Sequence, residues 1–570
     1  HPEEAATVAG RAARRLRARG NDTWAARADA LVLTGRMRSG AAVTAPRVQA
    51  AAERLASIHR DDDAALLHLD FALTTLAAGR PGDASAARLR ARPSPSSSIG
   101  VQVRSHEVDA ELARAQRDTS AVLGAASDGI AALTEWQSSL GSLELHSSAA
   151  VYGRRLAALG VRAALDVGDG AQVLAWSERV RALGNSLVPL RPPSDERVAR
   201  ALTELRELRL ADDPAARERE ARLRDEVRRI HWADAAGAAD AARAVDLDEL
   251  LAALAADRAA FVAHLWTGDA LAALVIAPAA PEPVRIVELG AAEPVERLLA
   301  GLLADLDVAA AELPAALRST ADASLAGRLA TLDGLLLAPL GDALAGADRL
   351  VLTPAGLVAG IPWAMLPGVV RRPLVVAESA RHWLDARPYA GRVRRAGFAS
   401  GPDVVRADAE IAAAAEAWAA DDPLAQPQAT TAQVAAIAEQ VDLLHIASHG
   451  RHSAEHPLFS GFELVDGPWF GYDIDQLASV PQVVIMSACE LGRSTSRWGL
   501  EALGMARAWL HAGTRSVLAS PAAIADEHAA ALLPAVHREL ARGVGVADAL
   551  ALATEATAIT TPLIARGSGW

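Results

Sequence analysis

Cys489 is the only cysteine in 570 residues, and it follows an apolar run, Val483-Val484-Ile485-Met486-Ser487-Ala488, that reads as a buried strand of the parallel type. Glu490-Leu491-Gly492 then breaks the pattern before the next helical stretch. A second apolar run, Leu443-Leu444-His445-Ile446-Ala447-Ser448, ends at His449-Gly450, so His449 precedes Cys489 by 40 residues. A thiol attacks a carbonyl as its thiolate, and a nearby imidazole is the usual proton acceptor or ion-pair partner. Adjacent parallel strands lie about 4.8 Å apart, so two strand ends can bring such a pair onto one substrate. An isolated cysteine is otherwise most often a small buried hydrophobe. The strand-end position and the upstream His-Gly favour the reactive reading. Gly450 lets the backbone approach a substrate without a Cβ, and its N–H with that of Cys489 forms a candidate oxyanion hole. No acidic third member is evident. Asp466, Glu501 and Asp526 are candidates for orientation or substrate specificity only.

Positioning these residues requires a sheet, and the pattern beyond Val245 supplies one. Short apolar runs at residues 259–265, 270–276 and 284–289, bounded by Gly, Pro and Asp, read as strands. Strand-like and helix-like segments then alternate: residues 349–354, a helix over 408–418, a helix over 431–440, the two reactive strands, a helix over 500–512 and a strand over 516–520. This is an α/β pattern with a mostly parallel sheet. From Glu3 to about Trp232 the signal is instead helical, with Ala/Leu/Arg-rich segments joined by short Gly-Asp turns. One such unit spans residues 151–183 around Gly168-Asp169-Gly170, and another spans 67–89 around Gly79 to Asp83. Helix pairs of this size resemble degenerate tetratricopeptide repeats, although no clean 34-residue register survives. An irregular helical bundle is the competing reading. The expected domains are therefore residues 1–240, helical, and residues 245–570, α/β. Residues 90–98 (RARPSPSSS) read as an exposed loop, residues 189–193 as a joint, and the Arg/Glu-rich stretch 196–229 as a solvated helix face.

Composition excludes several classes. With 57 basic and 70 acidic residues the net charge is −13, and no basic stripe points to nucleic acid. One cysteine rules out an intrachain disulfide and a resolving thiol, which suits a cytoplasmic protein and argues against a thiol oxidoreductase. No secretory leader is visible after His1, and the uncharged stretch 350–370 is broken by Pro354, Pro362 and Pro367, so no membrane span is expected. His445, His449, His452 and His456 suggest a metal site by spacing. On a strand, however, His445 and His449 are about 13 Å apart, too far to share an ion. Neither a metal nor a cofactor is expected. His452 competes with His449 as the base, and the glycine after His449 favours His449.

Residues 441–450 (VDLLHIASHG) and 483–492 (VVIMSACELG) resemble the His-Gly and Ser-Ala-Cys blocks of the CHAT family, caspase- and separase-related cysteine peptidases often fused to tetratricopeptide repeats. Residues 350–366 (LVLTPAGLVAGIPWAML) resemble its strand-turn-Pro-Trp block, and residues 398–403 (FASGPD), Ala429-Thr430, residues 504–513 and the strand ending near Asp526 also fit. The resemblance runs from about Val245 to Thr557. It implies a caspase-like α/β domain with His449 as general base, Cys489 as nucleophile and Gly450 in the oxyanion hole. It further implies a protein or peptide substrate, a helical half that binds a regulatory partner, and a role in bacterial-type signalling, defence or cell death. Ala522 stands where the family often has Trp, which leaves the shape of the substrate groove open. Asp526 faces a basic substrate residue on one reading and is an ordinary helix N-cap on the other. The expected activity is that of a cysteine endopeptidase. The alternative is a catalytically silent helical-repeat scaffold for protein–protein interaction.

Overall fold

The computed structural model describes residues 2–94, 96–138, 149–184, 196–208, 214–234, 244–311, 313–354, 356–387, 393–451, 453, 457–488 and 504–570. It divides into two compact units, His1–Ser138 with Val151–Asp169, and Ser139–Ala150 with Gly170–Trp570. The first unit is helical throughout its described residues. Helices Pro2–Ala18 and Asp22–Arg38, Ala45–Ala56 and Asp61–Ala77, Pro81–Ala91 and Ile99–Ala115 follow one another across short turns, and Thr119–Ser138 packs with Arg154–Val167. Small residues let these helices approach closely: a Cβ on Gly35 would stand 2.9 Å from the Cβ of Ala6, and one on Gly129 would stand 2.5 Å from Leu156 Cδ1. Leu55, Leu67, Leu69, Phe71, Val101 and Val108 fill the interior. Of the loop expected over residues 90–98, Arg90 and Ala91 belong instead to helix Pro81–Ala91, and Ser98 N–H donates to Asp62 at 2.8 Å just before helix Ile99–Ala115.

The spatial boundary falls at Asp169/Gly170, so the helix pair expected as one repeat over residues 151–183 is split between the units. Helix Gly170–Gly184 joins the sheet because its fully buried Arg181 donates to the backbone carbonyls of Pro354 and His264 and, most closely, Thr353. Glu178 on the same helix accepts the N–H groups of Ala380 and Arg381, each at 3.0 Å. The charge-rich stretch is likewise more than a solvated face. Val198, Leu202, Leu205, Leu223 and Val227, on helices Glu196–Leu208 and Pro214–Asp234, are buried in the core of the second unit.

Among the described residues, the second unit is built on a sheet of eleven strands. In chain order its strands are β1 (Ala259–Trp266), β2 (Ala270–Ile276), β3 (Val284–Ala291), β4 (Arg349–Thr353), β5 (Leu374–Val376), β6 (Ala396–Ser400), β7 (Leu424–Gln426), β8 (Leu443–Ala447), β12 (Val483–Ser487), β13 (Ser516–Ala519) and β14 (Ile564–Gly567). A separate three-stranded sheet holds β9 (Gly450–Arg451), β10 (Gly461–Leu464) and β11 (Gly467–Phe470). The spatial order is β3-β2-β1-β4-β5-β14-β13-β12-β8-β6-β7. Strands β1, β4, β5 and β14 run parallel to one another, β13 runs against β14, and β13, β12, β8, β6 and β7 are again mutually parallel. The carboxyl ends of β6, β8, β12 and β13 therefore share one edge. Strands β6 and β8 are buried along their whole length, as expected for parallel strands. Among the described residues no single helix is long and apolar enough to cross a membrane.

Candidate active site

Strands β8 and β12 pair with a constant offset of 40 residues, from Leu443 opposite Val483 to Ala447 opposite Ser487. That offset also separates His449 from Cys489 in the sequence. Past the paired ends, Ser448 N–H donates to Ser487 O at 3.1 Å, and buried Ala488 is the last described residue of this segment. Cys489 and Glu501 lie in residues 489–503, outside the described residues, as do His452 and His456.

His449 is exposed just beyond the end of β8. Its Nε2 lies 3.1 Å from the backbone carbonyl of Asp403. A carbonyl only accepts, so this contact places the ring proton on Nε2 and leaves Nδ1 as the basic nitrogen of the neutral imidazole. The partner comes from β6, whose Ser400 lies opposite Ala447 on β8. After Ser400 the chain turns over the end of β8: Gly401 N–H donates to Ala447 O at 2.9 Å, and Asp403 adopts a left-handed conformation with φ +60°. Glycine is required at 401, where a Cβ would stand 2.4 Å from Glu463 O and 2.6 Å from Ser448 Oγ.

Gly450 opens β9 and lies opposite Phe462 on β10. Glu463 N–H donates to His449 O at 2.9 Å. Bonded and non-bonded pairs alternate along an antiparallel ladder, so Gly450 falls in a non-bonded pair and its N–H points away from β10. The small sheet that carries Gly450 is anchored by buried aromatics, with Trp469 5.5 Å from Trp509 and Phe459 4.9 Å from Tyr472. Arg206 braces it, donating through Nε to Pro468 O at 3.0 Å and through Nη2 to both carboxylate oxygens of Asp473 at 2.6 Å. Burial raises the pKa of Asp473, against the lowering by Arg206.

His445, four residues before His449, is enclosed. Trp418 Nε1–H donates to His537 Nδ1 at 3.0 Å, His537 Nε2 meets His445 Nδ1 at 3.1 Å, and His445 Nε2 meets Glu410 Oε1 at 3.1 Å. Because an indole only donates, the chain has one direction: His537 donates from Nε2 to His445, and His445 donates from Nε2 to the carboxylate. All four side chains are buried. Desolvation, then the neighbouring His445, hold the His537 pKa well below the usual histidine value. Both ring nitrogens of His445 are thus committed to the core.

Asp526 is exposed at the first residue of helix Asp526–Ala541, and the N-cap is Ala525, so the expected N-cap role moves by one position. Asp466 is fastened away from chemistry, accepting Thr431 N–H at 2.7 Å and Thr431 Oγ–H at 2.8 Å. Ala522 is buried, its N–H donating to Ser520 Oγ at 3.2 Å. The Asp403 carbonyl is the contributor the sequence did not single out. The FASGPD segment was visible, but a backbone acceptor carries no side-chain signature.

Residues 327–561 match the model of the family described as the CHAT domain. No curated protein matches the chain. Among solved structures, two crystal structures of the Saccharomyces cerevisiae separase–securin complex, at 3.0 and 2.6 Å resolution, align with TM-scores of 0.45 and 0.44 and identities of 8% and 9%. Each alignment covers 95% of this chain and 49% of the other, so the chain spans about half the length of those it matches.

Proposed function

We propose that the chain is a cysteine endopeptidase acting on protein substrates through a Cys489–His449 dyad, a reading supported by the match of residues 327–561 to the CHAT domain. The observation that carries the reading is the 40-residue register of β8 on β12, together with a His449 ring whose Nε2 is engaged and whose Nδ1 has no partner among the described residues. In this mechanism Nδ1 takes the Cys489 proton and the thiolate attacks the peptide carbonyl. The N–H groups of Gly450 and Cys489 receive the oxyanion. The imidazolium then protonates the leaving amine, and water activated at the same nitrogen releases the acyl group from sulfur. Asp526, exposed beyond the carboxyl end of β13, and Glu501 are the acidic positions assigned to substrate selection.

The helical part, expected to extend to about residue 240, recruits or regulates through a partner protein in this reading. Trp24 and Leu31, two turns apart on one helix, are both more than half exposed. A peptide-library cleavage profile with Cys489→Ala as control tests the enzyme. The wild type cleaves and the variant does not. Unchanged cleavage by a folded Cys489→Ala variant overturns the assignment, and absence of cleavage by both returns the chain to a non-catalytic scaffold.

A further inference from the structure

The Asp403 carbonyl is a backbone group in a left-handed residue, and something must hold it against His449. The Asp403 carboxylate makes no hydrogen bond or ion pair among the described residues, so the turn is fixed from its other end. Ser400, fully buried at the end of β6, donates its hydroxyl to Asp408 Oδ1 and accepts Gln428 N–H at 2.9 Å. Ala429 N–H donates to Ser400 O at 2.8 Å. The Gln428 amide reaches Gly401 O at 3.3 Å and the Asp408 carboxylate at 3.3 and 3.4 Å. Asp408 stands in the first turn of helix Ala407–Glu416, so that helix, the β7–Thr430 segment and the end of β6 are tied at one hydroxyl.

We propose that Ser400 and Asp408 are positioning residues for His449, acting through the Asp403 carbonyl. This rests on the dyad reading. Rotation of the 400–403 turn releases Nε2–H, frees the ring to turn, and removes Nδ1 from the thiol it is meant to serve. Among the described residues, the elements around His449 carry the charged side chains Asp403 and Arg406 on the turn and its exit, Asp408 and buried Glu410 in the first turn of the helix, and Arg451 with Glu463 on β9 and β10. Their signs allow a discriminating test.

The single thiol permits the test without a known substrate. The rate of Cys489 alkylation by iodoacetamide is followed against pH in the full chain, with thermal melting as the fold control. The wild type should show a thiol midpoint below the free value of about 8.5, and His449→Ala should return it there. Ser400→Ala and Asp408→Asn should both raise the midpoint toward the His449→Ala value, with alkylation at neutral pH slowed about tenfold. Removing the Asp408 charge acts through space in the opposite direction, stabilising the thiolate and lowering the midpoint, while Ser400→Ala changes no charge. A lowered midpoint in Asp408→Asn, or unmoved midpoints in both folded variants, overturns the proposal while leaving the dyad standing. A midpoint that His449→Ala does not move overturns the dyad itself. If one variant fails to fold, Gln428→Ala, on the exposed side of the same network, takes its place with the same expected direction.

Discussion

His445 and His449 belong to one chain segment, four residues apart, yet they sit in opposite chemical situations. His445 is enclosed, with both nitrogens assigned in a one-way chain from Trp418 to Glu410. His449 is exposed, with one nitrogen held by a backbone carbonyl and the other without a partner among the described residues. A histidine does acid–base work only if one nitrogen is open to a substrate or nucleophile. The pair shows that the exposure and bonding of each ring are decided by what the neighbouring strand and helix offer it. Breaking the first network should damage the fold, and breaking the second should damage only chemistry.

The largest loss of stability is expected from His445→Ala. It strands the buried Glu410 carboxylate and removes the acceptor for His537, at a cost of about 3–5 kcal/mol. Chemical denaturation should show the midpoint falling in proportion, and a change under about 1 kcal/mol would show that the buried chain contributes little. Acid should bring the next largest loss. His264, buried against Trp363 at 4.7 Å, has its pKa lowered to about 4 by desolvation, with a raising bond to Leu336 O and a lowering contribution from Arg181. The unfolded chain binds this proton below about pH 6.5 while the folded one does not. Stability therefore falls as pH drops from about 6.5 toward 4, by about 3 kcal/mol for this residue, and is fully retained above that window. His537, also lowered, adds to the same trend. His264→Leu should flatten the acid limb of a stability-versus-pH curve, and an unchanged limb would place the acid sensitivity elsewhere.

Much of this was legible in the sequence. The strand runs ending at His449 and near Cys489, the alternation that makes an α/β sheet, and the helical first half follow from local periodicity, which short-range physics enforces. The boundary near residue 240 was set by where the helical pattern stops. The spatial division depends on Arg181 reaching strand-end carbonyls and on apolar faces at Val198 and Leu202, interactions across long sequence separations. The Asp403 contact was hidden for a different reason, because any residue type offers a carbonyl and only the turn geometry aims it. The buried role of His445 was not legible, because its partners Glu410 and His537 lie 35 and 92 residues away and leave no local trace.

Arg206→Ala tests the brace beneath Gly450, with an intermediate effect. It removes the bidentate partner of a buried carboxylate, and Asp473, already shifted upward by burial, recovers part of the loss by taking a proton. The expected cost is about 2 kcal/mol, larger at high pH than at low pH, because protonation relieves the unpaired charge. A cost independent of pH would mean that Asp473 stays charged without its arginine.

The smallest effect on stability should come from His449→Ala, and that is where the comparison is sharpest. The ring is exposed and holds one hydrogen bond to a carbonyl that water can satisfy, so its removal should alter stability by no more than about 0.5 kcal/mol. On the dyad reading the same substitution removes general-base assistance and should slow peptide cleavage by at least about a hundredfold. Melting and cleavage measured on one preparation separate the two quantities. A substantial loss of stability would make the His449–Asp403 contact a structural tie, bringing His449 closer in role to His445. A silent effect on cleavage, with the fold intact, would remove His449 from the chemistry and leave the exposed end of β8 without an acid–base group among the described residues.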